Sequence, residues 1–449
     1  MFERLLIANR GEIAVRVIRA CRELGISPIA VYSAADADSL HVELADDAVC
    51  IGPAAAKASY LHIPNVIGAA VKSGAQAIHP GYGFLSEDPY FAEICAENGI
   101  VFIGPPPDVM ESAGDKAITR RVMIEAGLPV LPGTSEAVAS LDEALTIGGR
   151  IGYPVVVKAA AGGGGRGIAV ARDPHQLRTA YLETRRNAQA IFGDGRVYLE
   201  RFLDGPRHIE VQILADDYGN VIHLGERDCS VQRRHQKLIE EGPSPALTAD
   251  RRAEIGTAAV RAAEAIGYRG AGTVEFLLED DGQFWFMEMN GRIQVEHPVT
   301  EAISGVDLVA AQIRIAVGEP LALTQEMVSL TGHAIECRIN AEDPGRDFAP
   351  TPGVLTAYRP PDGPGIRVDS HCRPDARISP HYDSMIAKLI AWGPDRDTAL
   401  RRMRRALDEM RLDGPGLRTT IDFHRGVLDD PVFCRGEAHT DFLTRRRPA

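Results

Sequence analysis

The stretch Thr273-Val274-Glu275-Phe276-Leu277-Leu278-Glu279-Asp280-Asp281-Gly282-Gln283-Phe284-Trp285-Phe286-Met287-Glu288-Met289-Asn290 decides how the rest of the chain is read. Its two ends, Thr273 to Leu278 and Phe284 to Asn290, are dense in β-branched and aromatic residues and read as strands. Asp281-Gly282 between them is a favoured dipeptide for a two-residue hairpin turn. With those two as the turn, Glu275 and Glu288 pair across the ladder, their Cβ atoms roughly 5 Å apart. Asn290 then shares the face of Glu288. Two like charges so placed repel unless a cation joins them. Two carboxylates and an amide suit Mg²⁺ or Mn²⁺, with water and phosphate oxygens filling the remaining positions. The alternative is a surface hairpin with both glutamates solvated. Against it stands the dense reactive run that follows at once: Arg292, Gln294, Glu296 and His297.

Upstream lies Lys158-Ala159-Ala160-Ala161-Gly162-Gly163-Gly164-Gly165-Arg166-Gly167. Consecutive glycines let backbone N–H groups turn towards an anion. No GK[ST] ends the run and a strand follows it, so it is not a Walker loop. It reads as a hairpin flap over phosphates, with Lys158 supplying charge; a plain linker is the alternative. Between flap and hairpin, Glu226-Arg227-Asp228-Cys229-Ser230-Val231-Gln232-Arg233-Arg234-His235-Gln236-Lys237 forms a basic island. It lacks the interleaved aromatics that stacking on bases wants, so a pocket for small anions fits better than a nucleic-acid patch. A solvated loop is the competing reading. Together the three features imply nucleoside triphosphate chemistry without a P-loop.

The flanks set the architecture. Leu5 to Ala8, Pro28 to Tyr32, Ala75 to Ile78 and Val101 to Ile103 read as strands, and a helix runs from Ile13 to Leu24 before Gly25. That alternation predicts an α/β unit with a parallel sheet, closed by Gly104-Pro105-Pro106-Pro107 and bounded near residue 114. Tyr153 to Lys158, Ile168 to Val170 and Val197 to Glu200 are strands, with a helix capped by Asp173-Pro174. Pro132-Gly133 and Leu203-Asp204-Gly205 bracket them as a small insert on joints. From Gly332 the chain turns to short strands, Pro-Gly turns and a helix from about Asp395 to Met410, an α+β pattern.

Composition excludes several classes. The chain has 449 residues, enough for two to four domains, and a formal net charge of −13, which argues against nucleic acid or anionic membrane as a partner. No apolar run approaches the ~20 residues of a spanning helix, and the start lacks a secretory signal, so a cytoplasmic protein is expected. Seven scattered cysteines without a CxxC pair predict reduced thiols rather than zinc or disulfides.

At this point the chain resembles the biotin carboxylase family of ATP-grasp ligases. The words that carry the resemblance are Ile7-Ala8-Asn9-Arg10-Gly11-Glu12-Ile13-Ala14, His79-Pro80-Gly81-Tyr82-Gly83-Phe84-Leu85-Ser86-Glu87, the Lys158 glycine loop and the basic island. They continue with Glu288-Met289-Asn290-Gly291-Arg292-Ile293-Gln294-Val295-Glu296-His297-Pro298 and Tyr382-Asp383-Ser384-Met385, in the family's order over nearly the whole chain.

The resemblance implies a Rossmann-like domain over 1–114, an ATP-grasp domain over 115–330 with a mobile lid at about 131–204, and a C-terminal α+β domain over 331–449. It implies that Lys116, Lys158, Gly163, Gly164, Gly165, Glu200, Leu203, His208, Gln232 and His235 meet ATP. Glu275 and Glu288, with Asn290, would bind two Mg²⁺ or Mn²⁺ ions, the two glutamates also counting among the ATP contacts. Lys237, Arg292, Gln294 and the Val295 backbone would hold bicarbonate, Glu296 would take its proton, and Arg338 would stabilise the biotin enolate. It also implies a homodimer working with a carboxyltransferase subunit, in the first half-reaction of a biotin-dependent acyl-CoA carboxylase such as acetyl-CoA carboxylase of fatty acid biosynthesis. No Met-Lys-Met word is present, so biotin is expected on a separate carrier protein or as free biotin.

Two positions depart from the family pattern: Ala161 interrupts the glycine run, and Gly291 stands where a larger residue is common. Two other readings compete. A different ATP-grasp ligase would share hairpin and flap but not the Arg292 to Glu296 run. A dinucleotide-binding module would need a GxGxxG after the first strand, where the chain has Asn9-Arg10-Gly11-Glu12.

Overall fold

The computed structural model describes residues 1–160 and 167–446. At the N-terminus β1 (Arg4–Ile7), β2 (Ser27–Ser33), β3 (Asp47–Gly52), β4 (Ala77–His79) and β5 (Val101–Phe102) form a parallel sheet ordered β3-β2-β1-β4-β5. The helix Gly11–Glu23 lays Ile13, Ala14, Val17, Ile18 and Cys21 into the core beneath it. Strand order reverses between β1 and β4, which is where such sheets open a ligand crevice. Here Asn9 fills the crevice, its Nδ2 donating to the carbonyls of Pro80 (2.7 Å) and Tyr82 (2.8 Å). These bonds tie the turn after β1 to the turn after β4, and with no GxGxxG there the dinucleotide reading is disfavoured.

The insert is a three-stranded antiparallel sheet, β6 (Val155–Ala159), β7 (Ile168–Ala171) and β8 (Val197–Arg201), ordered β7-β6-β8. The helices Leu141–Ile151 and Pro174–Phe192 cover it, and Val155, Val157, Leu177, Tyr181, Val197 and Leu199 form its own core. The Asp173 side chain caps the second helix by accepting from Gln176 N, with proline in the first turn, as the sequence predicts.

The largest element is one antiparallel sheet of eight strands. β9 (Arg207–Ala215), β10 (Val221–Arg233), β11 (Gln236–Gly242), β12 (Gly270–Leu278), β13 (Phe284–Asn290), β14 (His333–Asn340), β15 (Ile366–Ser370) and β16 (Met385–Gly393) are ordered β13-β12-β9-β10-β11-β14-β16-β15. It runs unbroken past residue 330, because β11 pairs with β14 from Ile239↔Cys337 to Gly242↔Ala334. Helix Arg396–Glu409 packs Ala399, Leu400, Met403, Ala406 and Leu407 against its C-terminal part.

One expectation is corrected in this sheet and one alternative is set aside. The β12–β13 turn is not the two-residue Asp281-Gly282 turn. Glu279 N donates to Gln283 O (2.8 Å), so Asp280, Asp281 and Gly282 form a three-residue loop. Gly282 there takes the left-handed conformation (φ 84°) that such loops require. This alone would shift the ladder by one residue, but an extra residue at Met287 shifts it back, and Glu275 does pair with Glu288. The bulge lets Phe284, Phe286 and Met289 all reach the core despite their uneven spacing. The second concerns the basic island, whose competing reading as a solvated loop fails: it is the hairpin of β10 and β11, turning at Arg234 (φ 49°) and His235 (φ 65°), with Glu226 to Gln232 buried.

Candidate active site

Cross-strand pairing assembles a row of charged side chains on one face of the large sheet. Glu288 on β13 pairs with Glu275 on β12, Glu275 with Glu210 on β9, and Glu210 with Arg227 on β10. Arg227 is completely buried and spreads its fork: Nε donates to Glu210 Oε1 (2.6 Å), and Nη1 to Gln212 Oε1 (2.9 Å) and Thr300 Oγ1 (2.7 Å). The pair is wholly buried, so each charge has the other as its compensation.

Lys237 on β11 reaches over this row. Its Nζ donates to Glu210 Oε2 (2.5 Å), Glu275 Oε1 (3.0 Å) and Glu296 Oε1 (2.7 Å). Burial alone would lower the Lys237 pKa, but the three carboxylates outweigh it and hold the ammonium charged well above its ordinary range. Burial would likewise raise Glu275, yet Lys237 and His208 hold it low. His208 Nε2 lies 3.0 Å from Glu275 Oε2; burial works against its charge, but Glu275 raises its pKa. Asn290 Nδ2 donates to Glu275 Oε1 (2.9 Å), while Glu288 is half-buried at the end of the row. These acidic and amide oxygens match the donor set of a hard divalent cation. His208, Glu210 and Glu275 also bring one ligand atom each within 4.8 Å of one another.

The segment from Gly291 to Glu296 carries the remaining candidates. Arg292 Nη1 donates to Gln294 Oε1 (2.9 Å), and its Nε lies 3.0 Å from Glu87 Oε2 of the N-terminal domain. Gln294 Nε2 reaches Glu275 Oε1 at 3.4 Å, and the buried His297 ring, through Nδ1, meets the Gln294 carbonyl at 2.8 Å. A Cβ at Gly291 would stand 3.3 Å from Pro105 Cγ, a tight contact that a shift of a few tenths of an ångström would relieve. Glu296 is fully buried and held at both oxygens, Oε1 by Lys237 and Oε2 by Arg338 Nη2 (2.9 Å). Burial would raise its pKa, but Lys237, Arg338 and Arg227 overcome it and keep the carboxylate ionised. Arg338 on β14 also donates from Nε to Glu240 Oε1 (2.7 Å).

A second group belongs to the three-stranded insert. Lys158 Nζ donates to Glu200 Oε2, and Arg120 Nη1 approaches Glu200 Oε1 at 3.5 Å. Leu203 and Gln232 are buried, and His235 is exposed at the hairpin turn. Gly163, Gly164 and Gly165, with Ala161, lie outside the described residues, as does the side chain of Lys116, which opens the helix Lys116–Glu125. The sequence reading missed Glu210, Glu240 and Glu87 and assigned no task to Arg227. Glu210 and Gln212 alternate with Ile209, Val211 and Ile213 like a half-solvated strand, whereas both faces of β9 are buried. Arg227, set apart from Arg233 and Arg234 and followed by strand-like residues, was the one available hint.

An antiparallel sheet with carboxylates on one face, beside a three-stranded insert carrying a lysine and a glycine run, defines an ATP-grasp ligase. Family models agree: residues 115–324 match the carbamoyl-phosphate synthase L chain ATP-binding domain. Residues 1–110 match the biotin carboxylase N-terminal domain, and residues 336–445 the biotin carboxylase C-terminal domain. The chain is 58% identical over 442 residues to a biotin carboxylase of Nostoc sp., covering 98% of each. It is 54% identical to a pyruvate carboxylase subunit of Methanothermobacter thermautotrophicus, covering 100% of this chain and 90% of that one. It superposes at a TM-score of 0.95 and 49% identity on the biotin carboxylase domain dimer of Hydrogenobacter thermophilus 2-oxoglutarate carboxylase, solved with MgADP, ADP and bicarbonate, covering 99% of this chain and 98% of that one. The chain belongs to the biotin carboxylase family.

Proposed function

We propose that the chain is the ligase that carboxylates biotin, using ATP and bicarbonate and releasing ADP and phosphate. The observation that carries this reading is Glu296, fully buried between Lys237 and Arg338. Bicarbonate is a poor nucleophile, so a positioned carboxylate must take its proton while its oxygen attacks the γ-phosphorus. Lys237, Arg292, Gln294 and the Val295 backbone hold the anion. As Lys237 turns to bicarbonate, Glu296 loses one of the cations that depress its pKa and becomes a stronger base. Carboxyphosphate then breaks down to CO₂ and phosphate; the phosphate deprotonates the ureido nitrogen of biotin, which attacks CO₂. Arg338 leaves Glu296 to stabilise the oxygen that becomes negative on biotin.

Glu275, Glu288 and Asn290 are the residues that would hold Mg²⁺ or Mn²⁺. When bound, two such ions neutralise charge on the triphosphate. Lys116, Lys158, the Gly163 to Gly165 flap, Glu200, Leu203, His208, Gln232 and His235 would bind the nucleotide. We assign the domains as 1–114, 115–330 with a lid at about 131–204, and 331–449. The lid closes over a water-labile intermediate. The working form is a cytoplasmic homodimer whose biotin arrives on a separate carrier protein. A carboxyltransferase partner selects the final acceptor, an acyl-CoA as in fatty acid biosynthesis or, as for the relatives named after pyruvate and 2-oxoglutarate, a keto acid.

The test is ADP release by the purified chain with ATP, Mg²⁺, bicarbonate and free biotin. Release should require bicarbonate and be accelerated by biotin, and Glu296→Gln should lower it about 10²–10⁴-fold while ATP still binds. Turnover without bicarbonate, or an unimpaired Glu296→Gln enzyme, would refute the reading.

A further inference from the structure

Lys388, on β16, is completely buried, a rare state for lysine unless its charge is used. It pairs directly with Arg338 across the β14–β16 ladder. The two cations therefore point to the same face, an arrangement that repels unless each has its own partner. Their partners are adjacent in the chain. Arg338 Nη2 donates to the Glu296 carboxylate, and Lys388 Nζ donates to the Val295 carbonyl at 2.9 Å. Lys388 also lies 3.2 Å from Glu12 Oε1 and 4.0 Å from Asp369 Oδ2. Asp369 is already forked by Arg367, and Glu12 Oε1 already accepts the Tyr82 hydroxyl. The Val295 carbonyl is thus the nearest acceptor of the ammonium. Glu12 comes from the helix after β1, Val295 from the loop after β13 and Lys388 from the C-terminal part, so one side chain links three distant stretches.

We propose that Lys388 is a positioning residue for bicarbonate: with Glu12 behind it, it fixes the peptide between Val295 and Glu296, so that the Val295 backbone and the Glu296 carboxylate present one rigid anion site. This rests on the assignment of Val295 and Glu296 to bicarbonate. Residues 291–296 lie outside any helix or strand. Their backbone carbonyls are tied by the Lys388 bond at Val295 and the His297 bond at Gln294, beside the side-chain bonds of Arg292 and Gln294. A charge-assisted bond to a carbonyl is among the stronger single ties available to such a loop.

The experiment compares wild type, Lys388→Met, and the double variant Lys388→Met with Glu12→Gln. The single variant leaves Glu12 buried without its cation and risks misfolding; the double variant removes both charges and keeps an acceptor for Tyr82. In steady-state ATP cleavage with free biotin, the double variant should melt near wild type. It should show KM for bicarbonate raised about tenfold, with KM for ATP within about twofold of wild type. An unchanged bicarbonate KM in the folded double variant would overturn the proposal. So would an equal rise in both KM values, which would mark Lys388 as a general strut. If wild type itself shows no bicarbonate-dependent cleavage, the functional reading fails instead, and the two failures are distinct.

Discussion

Glu275 and Glu288 stand directly opposite each other on β12 and β13, and the bulge at Met287 separates them from the turn. Glu275 is buried whereas Glu288 is only half-buried, so Glu288 is the gentler place to probe cation binding. Glu288→Gln should raise the Mg²⁺ concentration for half-maximal ATP cleavage about tenfold or more, at little cost in folding. Titrating Mg²⁺ at constant free ATP measures this. An unaltered requirement would move the cation to His208, Glu210 and Glu275.

Arg338 touches Glu296 directly, and this couples the residue proposed for biotin to the proposed base. Its loss leaves Glu296 buried with fewer cations, so the Glu296 pKa should rise. A base must be deprotonated to act. The acid limb of biotin-independent, bicarbonate-dependent ATP cleavage should therefore move to higher pH in Arg338→Gln. A pH–rate profile that superposes on wild type would contradict that coupling.

Arg227 is not expected to touch substrate, yet four hydrogen bonds radiate from it to Glu210, Gln212, Thr273 and Thr300. Arg227→Met strands Glu210 with less compensation and should cost about 3–5 kcal/mol. Adding Glu210→Gln should recover part of the loss. Urea midpoints for the two variants give the answer, and a single variant as stable as wild type would mean the row tolerates an unpaired acid.

Below Arg338, Glu240 and Glu336 pair across β11 and β14, both completely buried. Both oxygens of Glu336 and Oε2 of Glu240 have no hydrogen-bond partner among the described residues. Burial, only partly offset by Arg338, pushes Glu240 up to about 7; burial, against the pull of Lys388, drives Glu336 up as well. A raised carboxyl costs nothing below the unfolded value near 4.5. Its cost grows as pH climbs, because the unfolded chain then ionises and the folded one resists. Glu336→Gln should accordingly stabilise the protein by about 1–3 kcal/mol at pH 8 and by almost nothing near pH 4.5. Melting curves at the two pH values check this; a gain larger at low pH would reverse the sign.

The sequence made the strands, the helix after Asp173 and the pairing of Glu275 with Glu288 readable, because each depends on local spacing. The pairing came out right although the turn did not: a three-residue loop and a bulge compensate, and only the uneven step from Phe286 to Met289 hints at the bulge. The Glu210–Arg227 pair stayed hidden for a different reason. Period-two alternation shows that a strand has two faces but not whether the polar one meets water, and on β9 it meets a second buried layer. Likewise Lys388, Glu12 and Glu87 enter the neighbourhood of the site only through tertiary packing, which no spacing in the chain encodes.

The shared β11–β14 ladder has a consequence for how this protein can be taken apart. A chain cut at residue 330 would leave β11 as a raw edge, its donors and acceptors open to pairing with a second copy, and such a fragment should aggregate rather than bind nucleotide. The three-stranded insert, closed on a core of its own, is the piece that could be excised or exchanged; whatever follows residue 330 is woven into the enzyme's central fabric and cannot be inherited separately.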